Sequence, residues 1–538
     1  MKNSLQTPTI YFITPSMHQL FQVRELVDFI LWNLRADEDL GSLARMARTS
    51  KSLGEPALDV LWYELDSIHP LLYLLSNIKP IKPKKQPRII QPPEQFHLMG
   101  PTSLSDRIRL QKYAQKVRQI QKSFRYLSGS RSKTYSRTVS KEVWDIFVNG
   151  LGRSPLPELR TLEWPFTGCC TDDRTSVIDI LGPKLLRFIV WDPAYVSPHG
   201  SLDGPDLEAL AIRSPSLEQL HICRPGKPVS KGLAMLQDLK QLRTIHFVYF
   251  WPNLTFWSAL AELPRLQDLR CSIDFVGHRA ASVPPNDNAF PSLKTLELKG
   301  NSLGCSSLLS CFDLPRLMSL ELNLLSDFKE SGTPSFFNAI MSRFSTEFTT
   351  LTLVYCEVIE PKRFPHITSS TMHQLTCRFP NIVKIYFIGT WCFELVDEDL
   401  QHMARSWPQL KFLHLNPDAK WPLSTKPTLA SLECFADNCP HLVTLSMQLD
   451  ADGSYYNPSS SSKFDGKKQV NGRRLKRLNT LNIGTMSTIK HPLQVAAFLF
   501  RHFPQLTQIQ GKLSDLEAAY NNPKSYEVLP VSVTGRHI

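Results

Sequence analysis

The sequence lacks the short motifs that accompany most enzyme chemistry. It contains no GxSxG, HExxH or GxGxxG segment and no P-loop. Its 11 cysteines all lie after residue 168, and no two have the CxxC spacing of a zinc or redox site. We therefore expect free, mostly buried thiols and a non-catalytic protein with no metal site and no cofactor.

Long apolar runs are also missing. The longest helical one, residues 495–500, falls far short of the roughly 20 residues that cross a bilayer. The apolar stretch at residues 10–13 is too short for the core of a signal peptide. The sequence therefore predicts neither a membrane association nor secretion, and we expect a cytoplasmic or nuclear protein.

What the sequence has instead is leucine at a regular spacing. A unit that reads Leu-x-x-Leu-x-apolar recurs 13 times between Leu159 and Ile509, with starts 24 to 36 residues apart. Apolar positions 1, 4 and 6 are typical of a short strand that enters from a loop, with positions 4 and 6 inward and 3 and 5 outward. A β–α unit of this kind buries its apolar face only by stacking on its neighbours. We predict an α/β solenoid, a leucine-rich-repeat horseshoe of about 13 irregular repeats over residues 141–516.

The copies are located by their first apolar residue, and one similar stretch is excluded. Leu207-x-x-Leu210-x-Ile212 lies only ten residues before the next copy, so we interpret it as helix. The copies begin at Leu159, Leu185, Leu217, Leu242, Leu266, Leu293, Leu317, Phe348, Ile382, Leu410, Leu442, Leu478 and Leu506.

A separate helical module, residues 17–76, precedes the repeats. Apolar residues recur there at helical spacing in three stretches, which predicts three short helices. Three such helices bury too small a core to stand alone, so we expect the solenoid or a partner protein to cover them. The acidic runs 37–39 and 397–399 each precede a helix, and we interpret them as caps rather than as catalytic acid–base pairs.

Three runs in this module resemble an F-box. They are residues 22–31 (QVRELVDFIL), 39–51 (DLGSLARMARTSK) and 56–62 (PALDVLW). With leucine-rich repeats following, the whole chain is similar to the F-box-like leucine-rich-repeat proteins abundant in fungi. The sequence departs from the family at Arg24, Ser50 and Leu53, where the family commonly has Pro, Cys and Trp.

The resemblance implies a substrate-recognition subunit of an SCF-type cullin ubiquitin ligase. The module would dock a Skp-type adaptor, and through it a cullin, while the repeats would bind an unidentified protein substrate. The alternative for each implied contact residue is packing against the first repeats. The adaptor-facing residues that the resemblance implies are Val23, Leu26, Val27, Ile30, Leu31, Leu40 and Leu43.

The outward strand positions predict where a target would bind. The most aromatic patch on adjacent copies consists of Lys384, Tyr386, Ile388, Phe412 and His414. Outward aromatic side chains are typical anchors of protein interfaces. We therefore predict substrate binding at this patch of the concave strand face. The alternative is that a neighbouring loop covers the two aromatic side chains.

Most of the positive charge is confined to one segment. Residues 79–141 hold nine Lys and seven Arg against only Glu94 and Asp106, whereas the formal net charge of the whole chain is +12. We interpret residues 77–140 as a basic, Pro-rich linker and an irregular capping repeat, with a helix from Leu104 that runs into a strand at residues 117–120. Residues 517–538 would form a C-terminal tail.

Two other functions stay open. One is a leucine-rich-repeat interaction scaffold without ligase association. The other is a nucleic-acid-binding protein that contacts phosphates through residues 79–141. Because aromatic residues for base stacking are few in that segment, we do not expect a nucleic-acid partner.

Overall fold

A computed structural model of the chain describes the greater part of its 538 residues. The chain divides into two compact units, Met1–Cys223 and Arg224–Ile538. The predicted tail 517–538, the start of the predicted helical module (17–22) and much of the predicted linker lie outside the described residues. The described residues are 23–81, 94–121, 137–152, 154–165, 176–191, 204–223, 233–248, 254–273, 289–325, 333–355, 365–389, 391–417, 427–451, 477–484, 487–489 and 491–510.

The first unit begins with the three predicted helices, α1 (Arg24–Ala36), α2 (Leu40–Thr49) and α3 (Lys51–Tyr63). Side-chain oxygens cap the N-termini of the second and third helices. Asp39 Oδ1 accepts a hydrogen bond from the Ser42 N–H at 2.9 Å, and Ser50 Oγ accepts one from the Leu53 N–H. The capping interpretation of the acidic run 37–39 is therefore correct. The helices share a small core of Val27, Leu31, Leu43, Leu53, Ala57 and Val60.

The rest of the first unit is built around parallel strands. The elements are β1 (Glu64–Leu65), α4 (His69–Leu72), β2 (Ile78–Ile81), β3 (Glu94–Leu98), α5 (Leu104–Ala114), β4 (Gln119–Ile120), β5 (Arg137–Val139), α6 (Lys141–Leu151), β6 (Thr161–Pro165), α7 (Ser176–Asp179), β7 (Arg187–Trp191), α8 (Gly204–Arg213) and β8 (Gln219–Cys223). Strands β1, β4, β6, β7 and β8 are neighbours in that order, all parallel, and β2, β3 and β5 form a separate small sheet.

Two details of this unit were predicted and one was not. The helix α5 and the strand β4 occupy the residues predicted for them, and the excluded stretch around Leu210 is the helix α8. Strand β1 was not predicted. It follows α3 directly and pairs with β4, so the chain passes from the helical module into the sheet at Glu64.

The second unit repeats one pattern of strand and helix. Its parallel strands follow the order β9, β10, β11, β12, β13, β15, β17, β18, β20, β22. The elements are a 3₁₀ helix (Leu233–Asp238), β9 (Thr244–Val248), α9 (Leu254–Ala261), β10 (Asp268–Ile273), β11 (Thr295–Gly300), α10 (Ser302–Cys311), β12 (Ser319–Leu324), α11 (Thr333–Arg343), β13 (Thr350–Tyr355), β14 (His366–Thr368), α12 (Ser369–Arg378), β15 (Lys384–Gly389), β16 (Cys392–Glu394), α13 (Asp397–Ser406), β17 (Phe412–Leu415), α14 (Ala430–Asn438), β18 (Thr444–Ser446), β19 (Asp450–Ala451), β20 (Thr480–Asn482), β21 (Thr488–Ile489), α15 (Pro492–His502) and β22 (Gln508–Gln510).

The repeat positions behave as the sequence predicts. In β11 and β12 burial alternates strictly, so that Leu296, Leu298, Leu320 and Leu322 are buried and the residues between them are half-buried. Every predicted copy places its strand beside the strand of a neighbouring copy, and helices connect many of these strands. Each unit is thus an α/β solenoid of the leucine-rich-repeat type, which confirms the predicted fold class.

Polar contacts to backbone carbonyls join successive repeats of the second unit. Trp407 Nε1 donates a hydrogen bond to the Phe379 carbonyl at 2.9 Å, and the guanidinium of Arg378 donates to the carbonyls of Met341 and Phe344. These donors satisfy carbonyls that helix and turn ends leave without partners, which would otherwise be costly to bury. The repeats are therefore joined by directional bonds as well as by apolar packing.

Candidate protein-interaction surfaces

An apolar stripe lies exposed along α1. Leu26, Phe29 and Ile30 are spaced to lie on one side of the helix, and Phe29 is 68% exposed. The exposed Val23 precedes the helix, and the exposed Leu40 begins α2. Phe29 was not among the implied contact residues, although its spacing of three residues from Leu26 is the signal that places it beside them.

The implied adaptor contacts fall into two groups. Val23, Leu26, Ile30 and Leu40 are exposed. The other three, Val27, Leu31 and Leu43, are buried in the core of the module and present no surface to a partner. For these three the expectation of direct contact needs correction, because the hydrophobic gain of burying them is already made inside the module.

The departures from the F-box pattern are accommodated locally. Arg24 is the first residue of α1, a position where proline is favoured only because its missing N–H is not needed there. Ser50 supplies the cap of α3, and Leu53 is part of the core. All three replacements are therefore compatible with the folded three-helix module.

Several basic residues of the segment 79–141 pair with acidic residues of the first unit. Lys116 Nζ lies 2.9 Å from Glu55 Oε2 and also contacts the carboxylate of Asp59, and Lys112 pairs with the same Glu55. These hydrogen bonds lower the pKa of Glu55 to about 2. Trp62 packs on Tyr113 nearby, with 4.6 Å between ring centroids. In the described part of this segment, basic side chains thus join α5 to the helical module.

The predicted substrate patch is assembled on β15 and β17. The register pairs Lys384 with Phe412 and Tyr386 with His414. The Tyr386 and His414 rings stack with 5.6 Å between centroids and 4° between planes, and Lys384 Nζ lies 4.5 Å from the Tyr386 centroid. Burial raises the pKa of Tyr386. Ile388, two residues beyond Tyr386, is exposed.

Two further contacts position the aromatic rings of the same patch. His414 Nδ1 lies 3.0 Å from the Phe387 carbonyl oxygen, a hydrogen bond that orients the ring. The Phe412 ring centroid is 6.4 Å from that of Tyr386. The two aromatic rings are half-buried against each other, so part of each remains accessible on the strand face. The structure therefore brings the predicted side chains together.

The outward face of β10 to β12 carries charge instead. Glu297 and Glu321 are in register, and Arg270 lies 3.5 Å from Glu297 and 3.3 Å from Asp268. Burial and the neighbouring Glu321 raise the pKa of Glu297. Asn323 Nδ2 donates to both glutamates, at 3.4 and 3.3 Å. Sequence reasoning missed this group, because each residue alone is of an ordinary surface type.

Two features that would point to other functions are absent from the described residues. They contain no group of three or more His, Cys, Asp and Glu side chains that could hold a metal ion. Of the helices within the described ranges, none has the length and apolarity needed to cross a bilayer.

No family model and no curated protein matches the chain. Among solved structures, it is similar to TLR13 in its complex with ssRNA13 (13% identity, TM-score 0.37, 69% of this chain and 46% of the other). It is also similar to an internalin of Listeria monocytogenes (14%, 0.34, 64% and 80%) and to the leucine-rich-repeat ectodomain of the receptor kinase GASSHO1/SCHENGEN3 of Arabidopsis thaliana (12%, 0.30, 75% and 39%). The chain thus spans less than half the length of the TLR13 chain. At such low identities and TM-scores, the ligands of those proteins are not assigned to this chain.

Proposed function

We propose that this protein is a non-catalytic substrate-recognition subunit of an SCF-type cullin ubiquitin ligase. Its helical module docks a Skp-type adaptor, which links it to the cullin, and its strand face holds the protein substrate. The observation that carries the proposal is the exposed stripe of Leu26, Phe29 and Ile30 on a module that has its own core. A helix with an apolar face left uncovered is typical of one that binds a partner.

The adaptor contact in this proposal is narrower than the resemblance implied. It consists of Val23, Leu26, Ile30 and Leu40, to which the structure adds Phe29. The buried Val27, Leu31 and Leu43 would keep the helices in place beneath that contact.

Co-purification of the full chain with a Skp-type adaptor tests the proposal. The wild type should retain the adaptor, and the double variant Leu26→Glu/Ile30→Glu should lose at least about tenfold in affinity, because apolar anchors dominate such interfaces. The control is Ile212→Glu, which changes an apolar and even more exposed side chain on α8. If the wild type failed to retain an adaptor that a known F-box protein binds in the same assay, the ligase assignment would be wrong.

Substrate binding is tested separately on the strand face. Proteins that co-purify with the wild type should be lost from the double variant Tyr386→Ala/Phe412→Ala, which removes the aromatic part of the patch. Retention of those proteins by the variant would show that the substrate binds elsewhere.

The runner-up is an interaction scaffold without ligase association. The burial of three of the seven implied adaptor contacts favours it, since the remaining apolar surface is small. It predicts that the strand face captures proteins while no adaptor or cullin co-purifies. The adaptor experiment therefore separates the two functions directly.

A further inference from the structure

The outward side chains of the second unit form a row that runs across the strands. Residues at the fifth repeat position pair in register, Glu297 with Glu321, Glu321 with Thr352, Thr352 with Tyr386, and Tyr386 with His414. Neighbouring strands lie about 4.8 Å apart, so roughly 10 Å separates the Glu321 and Tyr386 positions. The charged group and the aromatic patch are thus the two ends of this row, and the short Thr352 side chain between them is only 8% exposed.

The acidic end of the row carries one more negative than positive charge, because its three carboxylates face only Arg270 and Lys299. Glu321 receives a hydrogen bond from Asn323 but forms no ion pair with a residue that the structure describes. Its register neighbour Glu297 is a second carboxylate, and Arg270, which lies beside Glu297, is shared with Asp268. Like charges directly opposite each other on adjacent strands are unfavourable, so a cation from another molecule would be stabilised there.

The aromatic end of the row has a positive charge. Lys384 lies over the Tyr386 ring and, within the described ranges, forms no ion pair with a carboxylate. The stacked Tyr386 and His414 rings and the nearby Phe412 offer a flat apolar surface beside that ammonium group. Glu321 and Lys384 are two strands apart, too far to neutralise each other.

We propose that this row binds an extended peptide segment of the substrate, with a basic side chain at Glu321, an apolar or aromatic side chain on Tyr386 and His414, and an acidic side chain at Lys384. An extended chain advances about 3.3 Å per residue and points successive side chains to opposite faces, so the basic and apolar side chains that face the row are two or four residues apart in that segment. The inference rests on the proposed function only in placing the substrate on this face. A nucleic acid does not fit, because Glu297 and Glu321 repel phosphates.

A synthetic peptide array probed with the purified full chain tests the inference. The peptides, of about ten residues on a Gly/Ser background, carry one Arg, one Phe and one Asp at every separation up to about six residues. Peptides with Arg two or four residues from Phe should bind best, and replacing that Arg with Glu should abolish binding. The absence of any bound peptide, or a preference without a basic residue, would overturn the inference.

Variants of the full chain assign the preference to the row. Glu321→Gln should weaken binding of the best Arg peptide about three- to fivefold, as expected for a half-exposed ion pair, and Glu321→Lys should favour the peptide with Glu in place of Arg. Tyr386→Ala should weaken binding about tenfold. The control is Glu347→Gln, an exposed carboxylate outside the strands, which should leave the affinity unchanged. Equal affinities of wild type and Glu321→Gln would refute the assignment.

Two further measurements keep the outcomes separate. Circular dichroism during heating shows whether each variant is folded, so that a loss of binding is not mistaken for unfolding. Adaptor co-purification uses the same wild-type preparation. An adaptor-binding chain that binds no peptide refutes the peptide inference alone, and a peptide-binding chain that binds no adaptor refutes the ligase function alone.

Discussion

His373 Nε2 lies 3.2 Å from Asp399 Oδ1, so that a hydrogen bond joins two successive helices of the second unit. The other oxygen of the same carboxylate accepts hydrogen bonds from the Val396 N–H at 2.9 Å and from the Ser369 hydroxyl. Asp399 is the third residue of α13 and is only 5% exposed. One carboxylate therefore both begins a helix and holds it against α12, which the preceding repeat supplies.

Replacing Asp399 with Ala should lower the free energy of unfolding by about 2–4 kcal/mol. The variant loses a helix cap and leaves three partly buried donors without an acceptor. Urea unfolding followed by circular dichroism measures the change. Glu398→Ala, in the same helical turn but exposed, should change stability by less than about 0.5 kcal/mol. Equal effects of the two variants would contradict the role given to Asp399.

The ion pairs of Glu55 predict an acid-sensitive contact between α3 and α5. Because its pKa is lowered to about 2 from an ordinary 4.5, Glu55 stabilises the folded state fully above pH 4.5, and this contribution is lost as the pH falls toward 2. The side chain is about half exposed, so solvent screening keeps the contribution small. Between pH 7 and pH 3, Glu55→Gln should lose less stability in urea unfolding than the wild type. Glu262→Gln, an exposed carboxylate outside this contact, should behave like the wild type.

Adding one methyl group at Gly389 should have a strong effect on stability. Its φ is +103°, and a Cβ atom there would overlap the Tyr355 carbonyl. Gly389→Ala should therefore destabilise the chain by more than about 2 kcal/mol and weaken binding at the neighbouring Tyr386. Gly150→Ala is the matched control, because it lies inside α6 with free space around it and should stabilise by about 0.5–1 kcal/mol. Thermal unfolding of both variants checks the pair.

Among the cysteines whose burial the structure describes, one thiol should react faster than the others. Cys377 is exposed, whereas burial raises the pKa of Cys305 and that of Cys439 to about 12, which removes the reactive thiolate. In a native chain titrated with a thiol-specific chromophore, Cys377→Ser should therefore remove one fast-reacting equivalent. Cys305→Ser should remove none. An unchanged fast phase in Cys377→Ser would contradict the burial pattern.

The repeats could be predicted from sequence because their signal is local and periodic. Each strand takes its inward positions from residues two apart, as with Leu296 and Leu298, and the pattern recurs along the chain. Strand β1 escaped prediction because its two residues, Glu64 and Leu65, are too few to show alternation, and polar residues follow them.

The exposed apolar surface of α1 could be predicted only in part. Leu26, Phe29 and Ile30 form one apolar stripe, and Val27 and Leu31 form another beside it. Periodicity shows that the helix has apolar sides but not which of two adjacent stripes faces the core. That choice is made by packing against α2 and α3.

The hydrogen bonds and ion pairs between distant polar residues could not be predicted from the sequence, for a different reason. Lys116 and Glu55 are 61 residues apart, and the ring of His373 is 26 residues from Asp399. A single sequence gives no sign that such distant polar residues meet, because each is an ordinary surface residue type. The grouping of the aromatic side chains could be predicted, since the register of neighbouring copies already sets Tyr386 beside His414.

Helix α3 passes directly into strand β1, with no loop between them. Tyr63 ends the helix and Glu64 begins the strand, and Arg35 of α1 donates a hydrogen bond to the Glu64 carbonyl at 2.9 Å. With the Lys116 contacts on the other side, the helical module is bonded to the first strands and to α5 at two places. If α1 binds a protein as proposed, these bonds set the orientation of that protein relative to the start of the sheet.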